Sequence, residues 1–223
     1  MPASSPQLAD ARRDEIVDAC AQLYQTLPFK KITLGVIGEK TSFSRTSIYN
    51  YFQTKEEIFL ALLEREYAAW ADDLAALAAA PVPAETFPAA FAALVGRRGC
   101  MLKLMSMNLY DLEAGSRMEN LISFKREYGR SLRGVEACLR AHFPRCGQKE
   151  ADKFVYAFFP FLFGVYPYTQ VTPKQAEAME RAHIAYPRLT AAEITAALVE
   201  TLVLPFSERA RVLLFERAPC PFI

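Results

Sequence analysis

The sequence predicts an all-α protein in which an N-terminal helix-turn-helix domain precedes a larger C-terminal helical bundle. Apolar residues recur with a helical period along nearly the whole chain of 223 residues. Residues that favour helix N-termini precede several of these segments. No useful length of chain alternates apolar and polar residues as a half-buried strand does. With 52% apolar and 23% charged residues, the composition is that of a folded protein.

The first three predicted helices have the spacing of a helix-turn-helix. Apolar residues on one helical face between Ile16 and Tyr24 predict the first of them. Thr33 can cap a second helix over Leu34–Lys40, and Ser44 can cap a third over Arg45–Phe52. Only the three residues Thr41–Phe43 then separate the second helix from the capping Ser44, as in helix-turn-helix motifs.

A long fourth helix is predicted next, because Thr54 and Glu57 have the spacing of a capping box. The proline-containing linker Ala80–Ala84 ends it. Its apolar stripe comprises Phe59, Leu63, Tyr67, Trp70, Leu74 and Leu77. The helices predicted beyond the linker are one marked by Phe87, Phe91 and Leu94, a methionine-rich one over Cys100–Tyr110, one capped by Ser116 and Glu119, an apolar one over Lys153–Thr169, a polar one over Pro173–His183, and one capped by Thr190 and Glu193.

Charge and cysteine content limit the classes of function. A net charge of +1 argues against a polycation that binds through its overall charge, but it permits a local nucleic-acid surface. The five cysteines are widely spread and form no C-x-x-C pair, so we expect reduced thiols and no metal or other cofactor. The longest apolar stretch is too short to span a bilayer, which predicts a cytoplasmic protein without a membrane partner.

The stretch Ile32–Leu63 carries the most informative pattern. It contains a capping Thr33, the turn Thr41–Phe43, a segment with the Tyr-x-x-Phe pattern at Tyr49 and Phe52, and a following Lys-Glu pair. In this order the features resemble the N-terminal region of TetR-family transcriptional regulators. The resemblance covers about the first 65 residues, and the remaining chain is similar only in length and helical layout.

One position departs from the family pattern. Ser42 occupies a turn position at which family members usually carry glycine, because the turn favours a left-handed backbone. We therefore expect either about 1 kcal/mol of backbone strain at Ser42 or a different turn.

A DNA-recognition helix needs short polar side chains near its start, where they can reach base edges in the major groove. Arg45, Thr46 and Ser47 are of this kind. The resemblance implies phosphate and thymine-methyl contacts for Tyr49, Asn50 and Tyr51. Thr33 and Lys55 begin helices, where free backbone N–H groups favour a phosphate. In the predicted DNA-binding domain, residues 8–54, and its immediate flank, the predicted contacts are Thr33, Ser44, Arg45, Thr46, Ser47, Tyr49, Asn50, Tyr51 and Lys55.

The predicted second domain, residues 55–219, contains a helix that is apolar on every side and must therefore be buried on every side. One side is expected to pack inward and the other against a second subunit. The resemblance implies a homodimer through two C-terminal helices per subunit, which would read a palindromic double-stranded operator. The predicted interface residues are Phe154, Phe158, Phe161, Leu162, Val165, Leu198 and Leu202.

The resemblance also implies a small, often hydrophobic effector that changes the separation of the two DNA-binding heads and releases a repressor from its operator. Methionine and aromatic side chains suit an adaptable apolar cavity, although core packing explains each of them equally well. The predicted ligand-binding residues are Phe91, Met101, Leu104, Met105, Tyr110, Phe124, Tyr128, Tyr166 and Tyr168.

Three other functions remain open from the sequence. Cys138 and His142 have i, i+4 spacing, which could pair a thiol nucleophile with a base in an enzyme. Cys100 or Cys138 could serve a thiol-based redox sensor. An all-helical small-molecule carrier with a vestigial DNA-binding head is the third possibility.

Overall fold

The computed structural model describes residues 5–43, 45–107, 109–185 and 187–206, and within these residues it contains eleven α-helices and no strand. This agrees with the predicted all-α class. The helices are α1 (Ser5–Thr26), α2 (Leu34–Gly38), α3 (Arg45–Ile48), α4 (Lys55–Ala79), α5 (Phe87–Gly96), α6 (Gly99–Met105), α7 (Leu109–Ala114), α8 (Met118–His142), α9 (Gln148–Thr169), α10 (Pro173–Arg181) and α11 (Ala191–Val203).

The chain divides into two compact units, and the long helices α4 and α8 each contribute residues to both. The first unit comprises Met1–Ala68 and Met107–Gly129, and the second comprises Ala69–Ser106 and Arg130–Ile223. The division within α4 falls after the proposed end of the DNA-binding domain at residue 54. In the described part of the chain, every helix is too short or too polar to cross a membrane.

The first unit is built around the predicted helix-turn-helix. Ile16 and Cys20 of α1 are fully buried, as their helical spacing predicts. Tyr24 meets the ring of Phe59 edge to face, with ring centroids 5.1 Å apart. Phe29, in a short 3-10 turn after α1, packs against the same ring at 4.8 Å. Edge-to-face aromatic packing of this kind fixes α1 against the start of α4.

The second unit has an aromatic core. Phe91 of α5 packs against Phe158 of α9 with ring centroids 5.2 Å apart, and Trp70 packs against Phe159 at 5.8 Å. Helix α11 lies on α5 so closely that a Cβ at Gly96 would be 3.0 Å from Cβ of Ala192. A larger residue at position 96 would therefore separate the two helices.

Three predicted helix signals were wrong in detail. The third helix ends at Ile48 instead of Phe52, and a turn follows it. The predicted helix over Cys100–Tyr110 is broken between α6 and α7. Ser116 does not cap α8, because its hydroxyl donates a hydrogen bond to the Leu112 carbonyl at 2.7 Å and the helix begins at Met118.

Four of the residues predicted for the dimer interface lie in the core of the second unit. Phe154, Phe158, Leu162 and Val165 are all buried within the single chain, although Val165 also lines an apolar groove at the surface of α9. Their spacing along α9 is that of one helical face. A helix that is apolar on all sides gives no sequence signal for which side faces inward, and the assignment of these residues to a dimer interface stays a prediction. Phe161, Leu198 and Leu202 remain partly exposed.

Candidate DNA-binding surface and cavity

The start of the helix-turn-helix is capped as predicted. Thr33 has an extended backbone (φ −124°, ψ 162°), and its hydroxyl oxygen accepts a hydrogen bond from the Val36 N–H at 3.3 Å. One of the N–H groups that have no partner within the helix at the start of α2 is thereby satisfied.

The turn between α2 and α3 forms without a left-handed backbone conformation at Ser42. In the described residues His183 alone among non-glycine residues has a positive φ, so the expected backbone strain at Ser42 is absent. Instead, Ser42 donates two hydrogen bonds to the Glu15 carboxylate, one from its backbone N–H and one from its hydroxyl at 3.0 Å. Glu15 therefore fastens the turn to α1, a role that the sequence pattern did not indicate.

The recognition segment presents a polar surface over two buried anchors. Ile48 and Phe52 are fully buried, whereas Thr46 and Asn50 are exposed. Tyr49 is 52% exposed, although large aromatic side chains usually lie inside. Ser47 and Tyr51 are half-buried.

Two of the predicted contacts in this segment can be placed only in part. Ser44 lies outside the described residues. Arg45 begins α3, but its side chain lies outside the described part of the structure.

Basic side chains of two other helices lie beside this segment. The Lys55 ammonium is 3.9 Å from the ring centroid of Phe29 and donates a hydrogen bond to its carbonyl at 3.3 Å. Part of its capacity to bind a phosphate is thus already used within the chain. Arg12 and Arg13 of α1 lie over the rings of Phe43 and Phe52, at 5.7 and 4.9 Å. These two arginines were not among the predicted contacts, which were confined to the helix-turn-helix from Thr33 onward and to the start of α4.

An ion pair between a buried carboxylate and a partly exposed arginine lies next to the recognition segment. Glu57 is 1% exposed, and its carboxylate accepts hydrogen bonds from the Arg117 Nε at 2.6 Å and Nη2 at 3.0 Å. It also accepts the backbone N–H groups of Gln53 at 2.8 Å and of Arg117 at 3.0 Å. Burial raises the pKa of Glu57, but these hydrogen bonds, led by that of Arg117, outweigh burial and leave the pKa below its ordinary value.

The predicted capping box at the start of α4 is therefore only half formed. The Thr54 hydroxyl accepts the Glu57 N–H at 3.2 Å, as predicted. The Glu57 carboxylate does not return to Thr54, because it is bound to Gln53 and Arg117 instead.

The second unit contains a cavity of about 980 Å³ among α6, α9, α10 and α11. Two of the predicted ligand-binding residues, Tyr166 and Tyr168, line it. Four others of that set, Phe91, Met101, Leu104 and Met105, are buried in the second unit and are not among the lining residues, and Phe124 is buried in the first unit. Tyr128 is half-buried against Tyr67, and Tyr110 is 83% exposed. The remaining residues that line the cavity are Gly96, Gly99, Leu102, Thr169, Gln170, Val171, Pro173, Ala176, Met179, Glu180, Ile184, Arg188, Leu189, Thr190 and Ala191.

The proposed thiol–base pair does not form. The Cys138 thiol is buried and donates to the Leu74 carbonyl at 3.1 Å. His142 Nδ1 lies 2.8 Å from the carbonyl oxygen of Cys138, not from its sulfur, and Nε2 lies 3.1 Å from the Ala80 carbonyl. Burial raises the pKa of the Cys138 thiol to about 12, which opposes formation of a reactive thiolate.

Comparison with known families assigns both parts of the chain. The model described as bacterial regulatory proteins of the tetR family matches residues 16–62. The model described as the tetracyclin repressor-like C-terminal domain matches residues 64–205, which is more than half of the chain. The chain belongs to the TetR family of transcriptional regulators. It is thus a DNA-binding regulator with a C-terminal domain of the ligand-binding type.

Solved structures show the same TetR-family fold at low sequence identity. The fatty acid degradation regulator FadR from Bacillus halodurans is 14% identical, with a TM-score of 0.55 over 88% of this chain and 95% of its own. The MbdR regulator from Azoarcus sp. CIB is 21% identical, with a TM-score of 0.50 over 85% and 95%. The multidrug binding protein EbrR is 16% identical, with a TM-score of 0.50 over 89% and 98%. No curated protein matches this TetR-family chain at a significant level.

Proposed function

We propose that this TetR-family protein is a homodimeric repressor that binds a palindromic operator and is released from it by a small, apolar ligand. We propose that the following residues contact the DNA: Thr33, Ser44, Arg45, Thr46, Ser47, Tyr49, Asn50, Tyr51 and Lys55. The observation that carries it is the exposure of Tyr49 beside the buried Ile48 and Phe52. An aromatic side chain that fills no core position is available for contact with a phosphate or a thymine methyl group.

A comparison of two exposed tyrosines tests the DNA-binding surface. The full chain is titrated by fluorescence anisotropy against the DNA upstream of its own gene and against a duplex chosen by selection from a random library. Tyr49→Ala is expected to weaken binding of the selected duplex, while Tyr110→Ala, which removes an exposed tyrosine from α7, leaves it unchanged. Equal binding by both variants would contradict the proposed surface. A scrambled duplex measures the nonspecific, salt-dependent contribution.

The homodimer is proposed through the outer face of α9 together with the segment before α11 and its first turns. Phe161, Gly164, Tyr168, Leu189 and Ile194 line an apolar groove there. Tyr156, one turn of α9 before Pro160, is 80% exposed. Contiguous exposed apolar surface marks an interaction site, and in a TetR-family regulator a second copy of the chain is the proposed occupant.

The ligand is proposed to bind in the 980 Å³ cavity, whose size is that of a pocket for a drug-sized molecule. Fatty acid degradation and multidrug binding appear in the names of two structural neighbours, which supports an apolar ligand. Gly99 lines the cavity, and a Cβ there meets no atom within 4 Å, so the side chain in Gly99→Leu can occupy part of the cavity without a clash at its Cβ.

Occlusion of the cavity provides the test. Dodecanoate and dodecyltrimethylammonium are suitable probes, because they have the same apolar chain and opposite charges. One of them is expected to release the selected duplex from the wild-type protein and from Gly99→Ala, but not from Gly99→Leu. Release that is unchanged in Gly99→Leu would place the ligand elsewhere. Increased transcription of the target gene after deletion of the regulator would establish the sign of regulation.

A further inference from the structure

Helix α3 is too short to fix its own position. It spans the four residues Arg45–Ile48, and isolated helices of this length are unstable in water. The chain leaves it through a turn in which the Tyr51 and Phe52 N–H groups both donate to the Ile48 carbonyl at 2.9 Å. The orientation of this turn, which carries Tyr49 and Asn50, therefore depends on what anchors its end.

One anchor is apolar and the other is ionic. Phe52 is fully buried, and it fixes the depth of the turn. The Tyr51 carbonyl accepts a hydrogen bond from Arg117 Nη2 at 3.0 Å, and the same guanidinium forms a two-point contact with the Glu57 carboxylate. We call the group of Glu57, Arg117 and the Tyr51 carbonyl the Arg117 clamp. A planar guanidinium bound in this way has little freedom to rotate.

The clamp joins the turn to the start of α8. Arg117 directly precedes Met118, the first residue of α8. The Thr54 hydroxyl donates to the Gly115 carbonyl at 2.8 Å. A Cβ at Gly115 would be 2.9 Å from both Cβ and Cγ of Glu56, so the segment before α8 can approach α4 this closely only with glycine at position 115.

We propose that Arg117 is a positioning residue for operator recognition, which holds the Tyr49–Tyr51 turn in its DNA-binding orientation and makes operator affinity depend on the position of the first turn of α8. Arg117 acts through Glu57 and the Tyr51 carbonyl and contacts no base. Because Arg117 directly precedes α8, a displacement of the start of this helix moves the residue that orients the turn. The same helix continues into the second unit. This inference rests on the proposed contact between the turn and DNA.

Neighbouring charges do not replace Arg117. Glu119 lies 3.8 Å from Arg117 Nη1 and is largely exposed, so it adds only a weak attraction. The carboxylate of Glu57 has no second basic side chain as a salt-bridge partner in the described residues. Removal of the guanidinium leaves the buried Glu57 carboxylate without its counter-charge and the Tyr51 carbonyl without the hydrogen bond from Arg117.

The test compares two arginines of the same region. Arg117→Met and Arg126→Met each remove one positive charge, but Arg126 is exposed on α8 and outside the clamp. The affinity of the full chain for the selected duplex is measured over a salt series, at a temperature where circular dichroism shows each variant to be folded. Arg117→Met is expected to lower operator affinity about tenfold, and Arg126→Met to leave it unchanged. Arg117→Lys, which retains the charge but loses the two-point contact, is expected to fall between Arg117→Met and wild type.

The salt dependence separates positioning from direct DNA contact. Loss of a phosphate contact reduces the slope of log affinity against log salt by about one, whereas loss of a positioning residue leaves the slope unchanged. A reduced slope in Arg117→Met, or operator affinity within a factor of about two of wild type at a lower melting temperature, would overturn the proposal. In the second of these cases the clamp serves stability alone.

Hydrogen exchange tests the clamp without DNA. The Tyr51 and Phe52 amides are expected to exchange faster in Arg117→Met than in Arg126→Met. If the wild-type chain binds no DNA and this difference is still found, the proposed function fails while the geometry of the clamp stands. If the exchange rates are equal, the proposal fails whatever the DNA result. Gly115→Ala, which separates the same two segments without a change of charge, provides an independent variant if Arg117→Met does not fold.

Discussion

The contact between Ser42 and Glu15 predicts that glycine, the residue usual at this turn position in the family, destabilises this chain. A glycine in this turn is favourable where the backbone is left-handed, but Ser42 is not left-handed and uses its hydroxyl to bind Glu15. Ser42→Gly is therefore expected to lower the free energy of unfolding by about 1 kcal/mol, because it removes a hydrogen bond and adds backbone freedom. Urea denaturation measures the effect, with Ser42→Ala as the control that removes only the hydroxyl. A stabilised Ser42→Gly would show that the turn prefers glycine after all.

Cys138 is predicted to be chemically inert in the folded protein. Its thiol is buried, and burial raises its pKa to about 12, so the reactive thiolate is scarce at neutral pH. Iodoacetamide at pH 8 should modify Cys138 only after unfolding, while the half-exposed Cys100 reacts first. Peptide mass mapping after timed exposure distinguishes the two cysteines. Rapid labelling of Cys138 in the native state would restore the redox-sensor hypothesis for this position.

Residue-level prediction from sequence succeeded at Thr33, where the contact is local and no distant residue competes for it. The Thr33 cap joins residues three apart, and its pattern can be read from the chain. The contacts of Ser42 with Glu15 and of Arg117 with Glu57 join residues 27 and 60 apart. No local spacing rule predicts such pairs, because they depend on how helices pack. The roles of Glu15 and Arg117 in the first unit therefore could not be predicted from the sequence.

At the scale of elements, α10 and α11 both begin with a capping box, but loss of the box should affect the stability of the chain differently in the two helices. Thr172 with Gln175 and Thr190 with Glu193 both form complete capping boxes. However, α10 has no buried residue, whereas α11 buries Val199 and Val203. Thr172→Ala should thus release α10 locally, and Thr190→Ala should lower the global free energy of unfolding by about 1 kcal/mol.

Two measurements on the same pair of variants check this difference. Hydrogen exchange is expected to rise within α10 alone in Thr172→Ala, while the urea midpoint stays at its wild-type value. Thr190→Ala is expected to shift the urea midpoint. A shift of similar size in both variants would mean that α10 is coupled to the core despite its exposed surface.

Element-level prediction was reliable for long amphipathic helices and weak for short ones. The stripe of α4 from Phe59 to Leu77 is buried throughout, as its spacing predicts. Helix α3 was predicted to be twice as long as it is. Residues Tyr49–Phe52 continue the helical pattern of the sequence, but in the structure they form a turn. A turn that is fixed by a distant guanidinium has no signature in local propensity.

For the whole molecule, the sequence could not separate cavity from core. Both kinds of site use apolar residues at helical spacing, so Phe91 and Met101 satisfied the pattern for a ligand site and proved to be buried. The cavity is bounded partly by the residues that precede α11 and partly by α10, a helix whose polar composition gave no reason to expect a pocket. Cavities arise where packing is incomplete, which is a property of the assembled fold.

The proposed dimer makes the last prediction, at Gly164. This residue is exposed on α9, lines the apolar groove, and a Cβ there meets no atom within 4 Å. Alanine or arginine at this helical position should raise the stability of the single chain by up to about 1 kcal/mol relative to glycine. Gly164→Arg should therefore give a stable chain that no longer dimerises, because a charge would be buried in an apolar interface.

Gly164→Ala is the matched control, since it has the same helical advantage without the charge. Light scattering after size-exclusion chromatography should show twice the mass of one chain for wild type and Gly164→Ala, and the mass of one chain for Gly164→Arg. Gly164→Arg should also lose the strong preference for two half-sites over one, because two linked heads bind a palindrome far more tightly than one head does. If Gly164→Arg remains a dimer with full operator affinity, the subunits associate through another face of the chain.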